Sequence, residues 1–411
     1  MNNKVGLLKN FSWTFVGSLI FAFSQWIILI VLAKFGNPEV VGQFSLGLAI
    51  TAPFVLFANM QLRNIVATDS VEKYSFSQYF GTRLSIMFIT LFILLVFLLF
   101  TNYSIYLSVI ILLVGLSKVI ESLSELTHGY FQQKERMDYA GKSLILKSIS
   151  SIIAFSVVFI ITRNLLFSLI ALNVVWFFRL LLFDLKIVSK YTEVKPNYSN
   201  IKSILLLGLP LGFVSIINSL NTNIPRYFLE NYYNIEQLGY FSAIAYILVV
   251  GNLFIRPVSL VTAPRIAQSF QVGNIKKYIR YTLLSLIIAL ILGVFIFIII
   301  FIKGEFLLTI IYDNRYAKYS KIFNIMAIGS IIGFFTTFLN TSIVAAREFK
   351  IQPVINLITL SVTSLVSIMF IPTMGILGAA YVTLIAFITQ FLLSLMLFLY
   401  ILKKVKKKNE N

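Results

Sequence analysis

The chain has 411 residues, of which 59% are hydrophobic and only 12% are charged, and its formal net charge is +19. This composition excludes a soluble globular protein, in which about a quarter of the residues carry a charge. No cysteine occurs and His128 is the one histidine, so disulfides, thiolate chemistry and a metal site of several histidines are also excluded. We predict no cofactor and no metal.

Long apolar runs follow one another along the whole chain. Each is long enough to cross about 30 Å of hydrocarbon as an α-helix, and they lack the alternation of a membrane β-barrel. The sequence therefore predicts an all-α integral membrane protein with about twelve transmembrane helices. In chain order, the predicted spans are residues 11–33, 41–62, 84–101, 105–131, 143–162, 166–185, 203–223, 238–263, 281–302, 322–346, 352–371 and 377–401.

Most of the 34 Lys and Arg residues lie in every second gap between these spans and at both chain ends. The positive-inside rule then predicts a multi-pass membrane protein with its N- and C-termini in the cytoplasm. The basic surplus is thus a topology signal, and we expect no nucleic-acid partner. The tail at residues 403–408 fits a stop-transfer flank, with contact to anionic membrane lipid as the alternative.

Two segments of similar sequence indicate an internal repeat. Asn, Glu, Gly, Phe and Ser of Phe35–Ser45 recur in Tyr232–Ser242, 197 residues later. A weaker match, 213 residues apart, pairs residues 134–135 with residues 347–348. Since each segment of the first pair joins two apolar runs, we predict two copies of one membrane-embedded unit, an arrangement typical of transporters.

The boundary between the two copies is predicted in the polar stretch 189–203, which carries Pro196. Six spans precede this stretch and six follow it, so both copies cross the membrane in the same sense. We therefore expect two parallel six-helix bundles, residues 1–195 and 196–411.

The fourth span carries the densest polar stripe, because Lys118, Glu121, Glu125 and His128 fall within an arc of about 80°. A charge at mid-bilayer costs about 2.5–3.5 kcal/mol, so this stripe should face protein or water. Lys118 could pair with either glutamate and hold the bundle together. Alternatively, Glu121 and Glu125 could line a cavity or couple transport to an ion gradient. We expect His128 to be solvated at the helix end.

The eighth span places Asn252 and Arg256 on one face, beside Pro257. A guanidinium within the membrane matches the oxygens of a phosphate group. Arg256 is therefore interpreted as an anion-binding residue, with an ion pair to Glu121 or Glu125 as the alternative. We expect Pro257 to loosen the helix, as we expect of Pro210 and Pro225 in the seventh span, and such positions are typical of gating helices.

Enzymatic signatures are incomplete. Gly141-Lys142-Ser143 resembles the end of a phosphate-binding loop, but Arg136 stands where that loop requires glycine. An Asp-x-Asp motif is missing, and the gaps between spans are too short for an external catalytic domain. The loop at residues 63–83 also lacks the Gly-x-x-x-Asp-Arg type of signature of the major facilitator class. We therefore predict a transporter, not an enzyme.

Four segments together resemble a Wzx-type flippase of the multidrug/oligosaccharidyl-lipid/polysaccharide (MATE-like) exporter superfamily. The resemblance covers essentially the full length. The segments are Gly36–Ser45, Leu62–Ile65, Gln132–Asp138 with Ser143–Leu146, and Gly375–Ala380.

This resemblance implies a protein of the bacterial cytoplasmic (inner) membrane, with two six-helix bundles around a cationic central cavity. It also implies a substrate: an undecaprenyl-pyrophosphate-linked oligosaccharide repeat unit of O-antigen, capsule or exopolysaccharide, moved from the cytoplasmic to the periplasmic leaflet by alternating access. Such a substrate requires cations for the pyrophosphate, for which the candidates are Arg256, Lys118, Arg63 and Arg83. Its sugars require polar side chains, for which the candidates are Gln25, Asn59 and Asn252.

The alternative is a cation-coupled antiporter for drugs or small molecules, of the MATE type. That branch often carries a functional carboxylate in the first span, and residues 11–33 contain none. The difference favours lipid-linked sugars and puts a borrowed coupling mechanism in doubt. An H⁺ or Na⁺ counter-ion and other polysaccharide-assembly proteins are the remaining candidate partners.

Overall fold

The computed structural model describes residues 6–410, which are helices joined by turns and linkers, with no β-strand among them. Its helices are α1 (Leu7–Phe35), α2 (Pro38–Asn59), α3 (Leu62–Thr68), α4 (Phe76–Leu99), α5 (Ile105–Gln133), α6 (Met137–Thr162), α7 (Leu165–Arg179), a π-helical segment (Leu180–Leu185), α8 (Lys186–Val188), α9 (Ile201–Tyr232), α10 (Ile235–Gln271), α11 (Ile275–Ile311), α12 (Asn314–Ala317), α13 (Ser320–Ala345), a 3₁₀ turn (Phe349–Ile351), α14 (Gln352–Met374) and α15 (Ile376–Glu410). Within this range, side chains are described except those of residues 7–9, 11, 249–250, 252–254, 256–257, 260, 349 and 406–410.

Eleven segments of the described chain are long and apolar enough to cross a membrane. The predicted eighth span lies within α10, a continuous helix of 37 residues. The expected all-α membrane fold is therefore confirmed. Helix α9 continues through Pro210 and Pro225. Non-helical backbone occurs at Lys303, inside α11.

The chain forms two compact units, Met1–Ser219 and Leu220–Asn411. Their boundary lies within α9, later than the polar stretch in which the sequence places it. That stretch is fixed to the first unit, because the backbone N–H of Asn197 donates to the carbonyl of Ser77 at 3.0 Å. Gly81 permits this approach, since a Cβ there would lie 2.4 Å from the Asn197 oxygen.

The two units begin their second membrane helix with the same cap. Asn37 has an extended backbone, and its side chain accepts a hydrogen bond from the N–H of Val40 at the start of α2. Asn234 caps α10 in the same way through the N–H of Gln237. Because an asparagine cap satisfies a helix N–H that otherwise lacks a partner, the repeated segment has a structural role. The repeat predicted from sequence thus corresponds to a repeated helix start.

Two residues with positive φ in each unit mark equivalent helix ends. Glu135 follows α5 and Arg347 follows α13, with φ of 56° and 62°. Arg163 follows α6 and Gly375 follows α14, with φ of 52° and 58°. In both pairs the second residue lies 212 positions after the first. The separation of 213 inferred from residues 134–135 is therefore wrong by one, because the backbone aligns Glu135, not Lys134, with Arg347.

Helices α1 and α6 pack closely where two glycines meet in the first unit. A Cβ on Gly17 would lie 2.8 Å from the carbonyl oxygen of Gly141, so neither position accepts a larger residue without a shift. The Asn10 side chain reinforces this contact by donating to the Glu135 carbonyl and accepting from the Met137 N–H. This packing brings the aromatic side chains of α1 against the polar interior of α6.

Candidate functional site: a buried charged cluster in the first unit

Glu121 of α5 forms the centre of a charged cluster inside the first unit. Its carboxylate pairs with Lys118 on the same helix at 2.8 Å and with Lys147 of α6 at 2.5 Å. Only 13% of the Glu121 side chain and 2% of the Lys147 side chain are exposed. Of the two pairings predicted for Lys118, the structure therefore shows the one with Glu121.

Lys147 is a member of the cluster that the sequence interpretation missed. It lies inside the predicted span 143–162, where no functional residue was predicted from sequence. Its Nζ atom stands 3.9 Å from the Trp176 ring centre and 4.4 Å from that of Phe21. Two aromatic faces and one carboxylate therefore stabilise this buried cation. The serines at residues 143 and 151, one helical turn to either side, are the signal that could have revealed a polar face.

A second buried ion pair joins Arg179 to Asp184, with Nη1 and Oδ2 2.9 Å apart. Side chains five residues apart on an α-helix diverge by about 140°. The π-helical segment, which contains Asp184, has wider turns that bring the carboxylate back towards Arg179. The sequence gives no sign of this wider turn, so spacing rules did not suggest the pair.

Two serines and the histidine extend the Arg179–Asp184 ion pair into a hydrogen-bonded network. Arg179 donates to Ser143 at 2.5 Å and to Ser124 at 2.8 Å, and Ser124 donates to Asp184 at 2.6 Å. His128 lies 2.9 Å from the same Ser143 hydroxyl and is 2% exposed. The expectation of a solvated His128 is wrong, because α6 and α7 cover this face of α5.

Arg83, predicted as a substrate contact, is 1% exposed. Its Nη1 atom donates to the Asn59 side chain and, at 3.0 Å, to Ser122. Ser122 also donates to Asn59 at 2.5 Å. The structure thus brings Arg83 and Asn59 together as partners of each other, joining α2, α4 and α5. In this conformation Arg83 is closed to a ligand, whereas Asn59 is half-buried.

Glu125 differs from the other acidic residues of the cluster. It lies one turn after Glu121 and is half-buried, and none of the described residues forms a hydrogen bond or ion pair with its carboxylate. It does interact electrostatically with Arg63, Lys147 and Arg83. Arg63 of α3 is half-buried too, and the described residues offer its guanidinium no hydrogen-bonding or ion-pair partner. These two side chains are the open charges of the cluster.

The remaining predicted residues lie elsewhere. Gln25 of α1 is half-buried, and its amide lies 3.5 Å from the Ser24 hydroxyl. The side chains of Asn252, Arg256 and Pro257 are outside the described residues, which give only their helical backbone.

The charged cluster of the first unit therefore contains five cations and three carboxylates. The cations belong to Arg63, Arg83, Lys118, Lys147 and Arg179, and the carboxylates to Glu121, Glu125 and Asp184. A surplus of positive charge at this depth attracts an anion, and the guanidinium of Arg63 suits the paired oxygens of a phosphate. In the described part of the chain, no group of acidic or histidine side chains could hold a metal ion.

Sequence comparison identifies the family to which the chain belongs. Residues 7–270 match the family described as polysaccharide biosynthesis protein. Over 403 residues the chain is 32% identical to the capsular polysaccharide biosynthesis protein CapF of Staphylococcus aureus, covering 97% of this chain and all of that one.

Two solved structures of similar fold are those of transport proteins. A multidrug resistance MATE family transporter of the MOP superfamily, in its inward-facing conformation, has a TM-score of 0.70 at 12% identity and covers 95% of this chain and 96% of its own. The lipid II flippase MurJ, in an inward closed conformation, has a TM-score of 0.70 at 16% identity and covers 94% and 89%. The chain therefore belongs to the polysaccharide biosynthesis protein family and has the fold that MATE transporters and MurJ share.

Proposed function

We propose that this protein is a flippase that moves undecaprenyl-pyrophosphate-linked oligosaccharide repeat units from the cytoplasmic to the outer, periplasmic-side leaflet. The observation that carries the proposal is the surplus of cations in the charged cluster of a polysaccharide biosynthesis protein, where five cations accompany three carboxylates. Both chain ends then lie in the cytoplasm, and the two units alternate in exposing the substrate path to either side.

The chemistry of such a substrate explains why a protein is needed. A pyrophosphate and a string of sugars cannot cross about 30 Å of hydrocarbon unaided, whereas the prenyl tail stays in lipid throughout. The flippase must therefore offer cations to the pyrophosphate and hydrogen-bonding groups to the sugars. It needs no catalytic group, because no covalent bond changes.

The predicted contacts differ in how well the geometry suits them. Arg63 is the leading pyrophosphate contact, since its guanidinium is open. Lys118 is a second contact, because 29% of its side chain is exposed although it pairs with Glu121. Arg83 and Asn59 serve as supports that hold α2, α4 and α5 together. Arg256, as a further phosphate contact, stays a prediction.

The sugar contacts and helix flexibility predicted from sequence also stay predictions. Gln25 of α1 and Asn252 of α10 carry amides suited to sugar hydroxyl groups. Gating would involve the prolines of α9 and α10, and the boundary between the units falls between Pro210 and Pro225.

Glu125 is the residue best suited to ion coupling, because its carboxylate is open to H⁺ or Na⁺ while that of Glu121 is held by two lysines. Ion coupling would also serve an antiporter for drugs or small molecules. The two functions differ in their substrates, so substrate accumulation in cells separates them.

A complementation experiment tests the proposal. Cells that lack this protein should lose surface polysaccharide and accumulate lipid-linked oligosaccharide in the cytoplasmic leaflet, and the wild-type gene should restore both. Arg63→Ala and Arg256→Ala should fail to restore surface polysaccharide at normal protein level, whereas Arg256→Lys should restore part of it. Cells without the protein that still display normal surface polysaccharide would contradict the proposal, and sensitivity to drugs alone would favour the antiporter.

A further inference from the structure

The second unit contains a cavity of about 690 Å³ between α10 and α13. Ligand sites for small molecules typically have volumes of about 300–1,000 Å³. Ala263 and Ala267 of α10 form an apolar wall, and Thr337 and Asn340 of α13 face it. The described lining contains no carboxylate and no lysine, so its chemistry differs from that of the charged cluster.

The polar groups of this cavity have hydrogen-bonding capacity to spare. The Asn340 side-chain oxygen accepts from Ser394 at 3.1 Å, but the described residues provide no acceptor for its amide NH₂. Thr337 donates to the carbonyl of Gly333 at 3.0 Å, which leaves its oxygen lone pairs open. No partner for the Gln271 amide is found in the described structure either. The lining therefore presents neutral donors and acceptors beside an apolar wall.

The internal repeat shows what these residues replace. Applying the separation of 212 between equivalent helix ends, Thr337 occupies the position of Glu125 and Asn340 that of His128. The position of Lys147 is occupied by Thr359. The second unit thus keeps hydrogen-bonding side chains at all three positions but lacks the charges of Glu125 and Lys147. Neutral hydrogen-bonding groups suit a ligand that has many hydroxyl groups and no charge of its own.

One cation stands at the edge of this cavity. Arg347 lines it from the turn after α13, where the backbone is left-handed with φ of 62°. A left-handed conformation costs a non-glycine residue about 1–2 kcal/mol, and glycine is the usual choice at such a helix end. The described residues form no ion pair or hydrogen bond with its guanidinium, which is exposed. An arginine here is therefore placed to meet an anion at the mouth of a neutral cavity.

We infer that this cavity binds the sugars nearest the pyrophosphate of the lipid-linked substrate, and this inference rests on the proposed function. Thr337, Asn340 and Gln271 hydrogen-bond to sugar hydroxyl or amide groups, and the C–H face of a sugar ring packs on Ala263 and Ala267. Arg347 contacts the phosphate next to the first sugar. The ligand class is a neutral, hydroxyl-rich glycan that carries a phosphate at one end.

Binding to the full-length protein in lipid nanodiscs tests this inference with two probes. One is the pool of lipid-linked oligosaccharide extracted from cells that lack the protein, and the other is undecaprenyl pyrophosphate without sugar. Asn340→Leu should bind the glycosylated pool about tenfold more weakly and Thr337→Val severalfold more weakly, with affinity for the sugar-free lipid unchanged. Thr336→Val is the matched control, because Thr336 is buried one residue away from the cavity lining and should leave both affinities unchanged.

Asn340→Leu also removes the acceptor of Ser394, so its folding must be checked by thermal unfolding. If that variant does not fold, Gln271→Leu and Thr337→Val test the inference in its place. Gln271 is exposed, so its substitution should not disturb folding. Equal affinity of these variants and wild type for the glycosylated pool would overturn the inference, as would an equal loss for both probes. The proposed function fails on a different result, namely a wild-type protein that does not move the same pool across proteoliposomes.

Discussion

The two units of this chain share their turns but differ in their interiors. Asn37 and Asn234 cap equivalent helices, and Glu135 and Arg347 end equivalent helices in the same left-handed conformation. The charged cluster of the first unit contains eight charged groups, whereas Gly333, Thr337 and Thr359 occupy the positions in the second unit that are equivalent to Glu121, Glu125 and Lys147.

This difference separates two kinds of constraint. The start and the end of a helix depend on backbone geometry. Both copies of a duplicated fold therefore keep the same caps and the same left-handed conformation at equivalent helix ends. Buried charges within a membrane are costly, and they persist only where they are paired or functional. The charged cluster of the first unit is therefore suited to an anionic group. The neutral polar lining of the cavity in the second unit is suited to an uncharged group with many hydroxyls.

Removing the central carboxylate should have the largest effect on stability. Glu121→Gln leaves Lys118 and Lys147 without their shared partner, and loss of one member of a buried pair costs about 3–5 kcal/mol. The double variant Glu121→Gln/Lys147→Met should recover most of this loss, because it leaves no uncompensated buried charge at that point. Thermal unfolding in lipid nanodiscs measures both.

Thr359→Val, at the position equivalent to Lys147, is the control in the second unit. The Thr359 hydroxyl donates only within its own helix, to the Ile355 carbonyl at 2.9 Å, so this change should cost less than about 1 kcal/mol. A loss in Glu121→Gln no larger than in Thr359→Val would remove the energetic distinction between the units.

Neutralising Glu125 should affect transport more than stability. Because its carboxylate forms no hydrogen bond or ion pair with the described residues, Glu125→Gln should lower the unfolding midpoint less than Glu121→Gln does. Under an imposed H⁺ or Na⁺ gradient, we expect the transport rate to fall by about tenfold, equivalent to about 1.4 kcal/mol. Thr337→Ser, at the equivalent position, should keep its dependence on the gradient. An unchanged gradient dependence in Glu125→Gln would assign this residue a structural role.

The helix caps should contribute equally in the two units. Asn37→Ala and Asn234→Ala each remove the acceptor for one helix N–H, which costs about 1 kcal/mol. Both variants should therefore unfold at similar temperatures, below that of the wild type. A loss of stability in only one of the two variants would show that the cap stabilises one copy of the repeated segment but not the other.

The smallest expected effect concerns the helix end after α5. Glu135→Gly relieves a left-handed backbone, which would stabilise the first unit by up to about 1 kcal/mol. Because the Asn10 amide bonds to the backbone carbonyl of residue 135, that contact should survive the change. A lower unfolding temperature in Glu135→Gly would mean that the side chain contributes more than its conformation costs.

The fold could be predicted largely from sequence, because a membrane helix requires a long apolar run and these runs cover most of the chain. The ion pair of Lys118 with Glu121 could also be predicted from sequence, because the two residues lie three positions apart on one helix. Lys147 and the Arg179–Asp184 pair were not, because they depend on how α6 and α7 pack on α5 and on a π turn. The cavity of the second unit is lined by threonine, asparagine and alanine, which no motif distinguishes.

The most direct measurement is translocation of lipid-linked oligosaccharide in proteoliposomes that contain the purified protein as their only protein. The wild type should move the glycosylated pyrophosphate lipid between leaflets much faster than protein-free liposomes do. Arg63→Ala should be slower by at least about tenfold, since it removes the open cation of the charged cluster. Translocation by the wild type at the rate of protein-free liposomes would contradict the proposed function, and a wild-type rate in Arg63→Ala would contradict the role of the cluster.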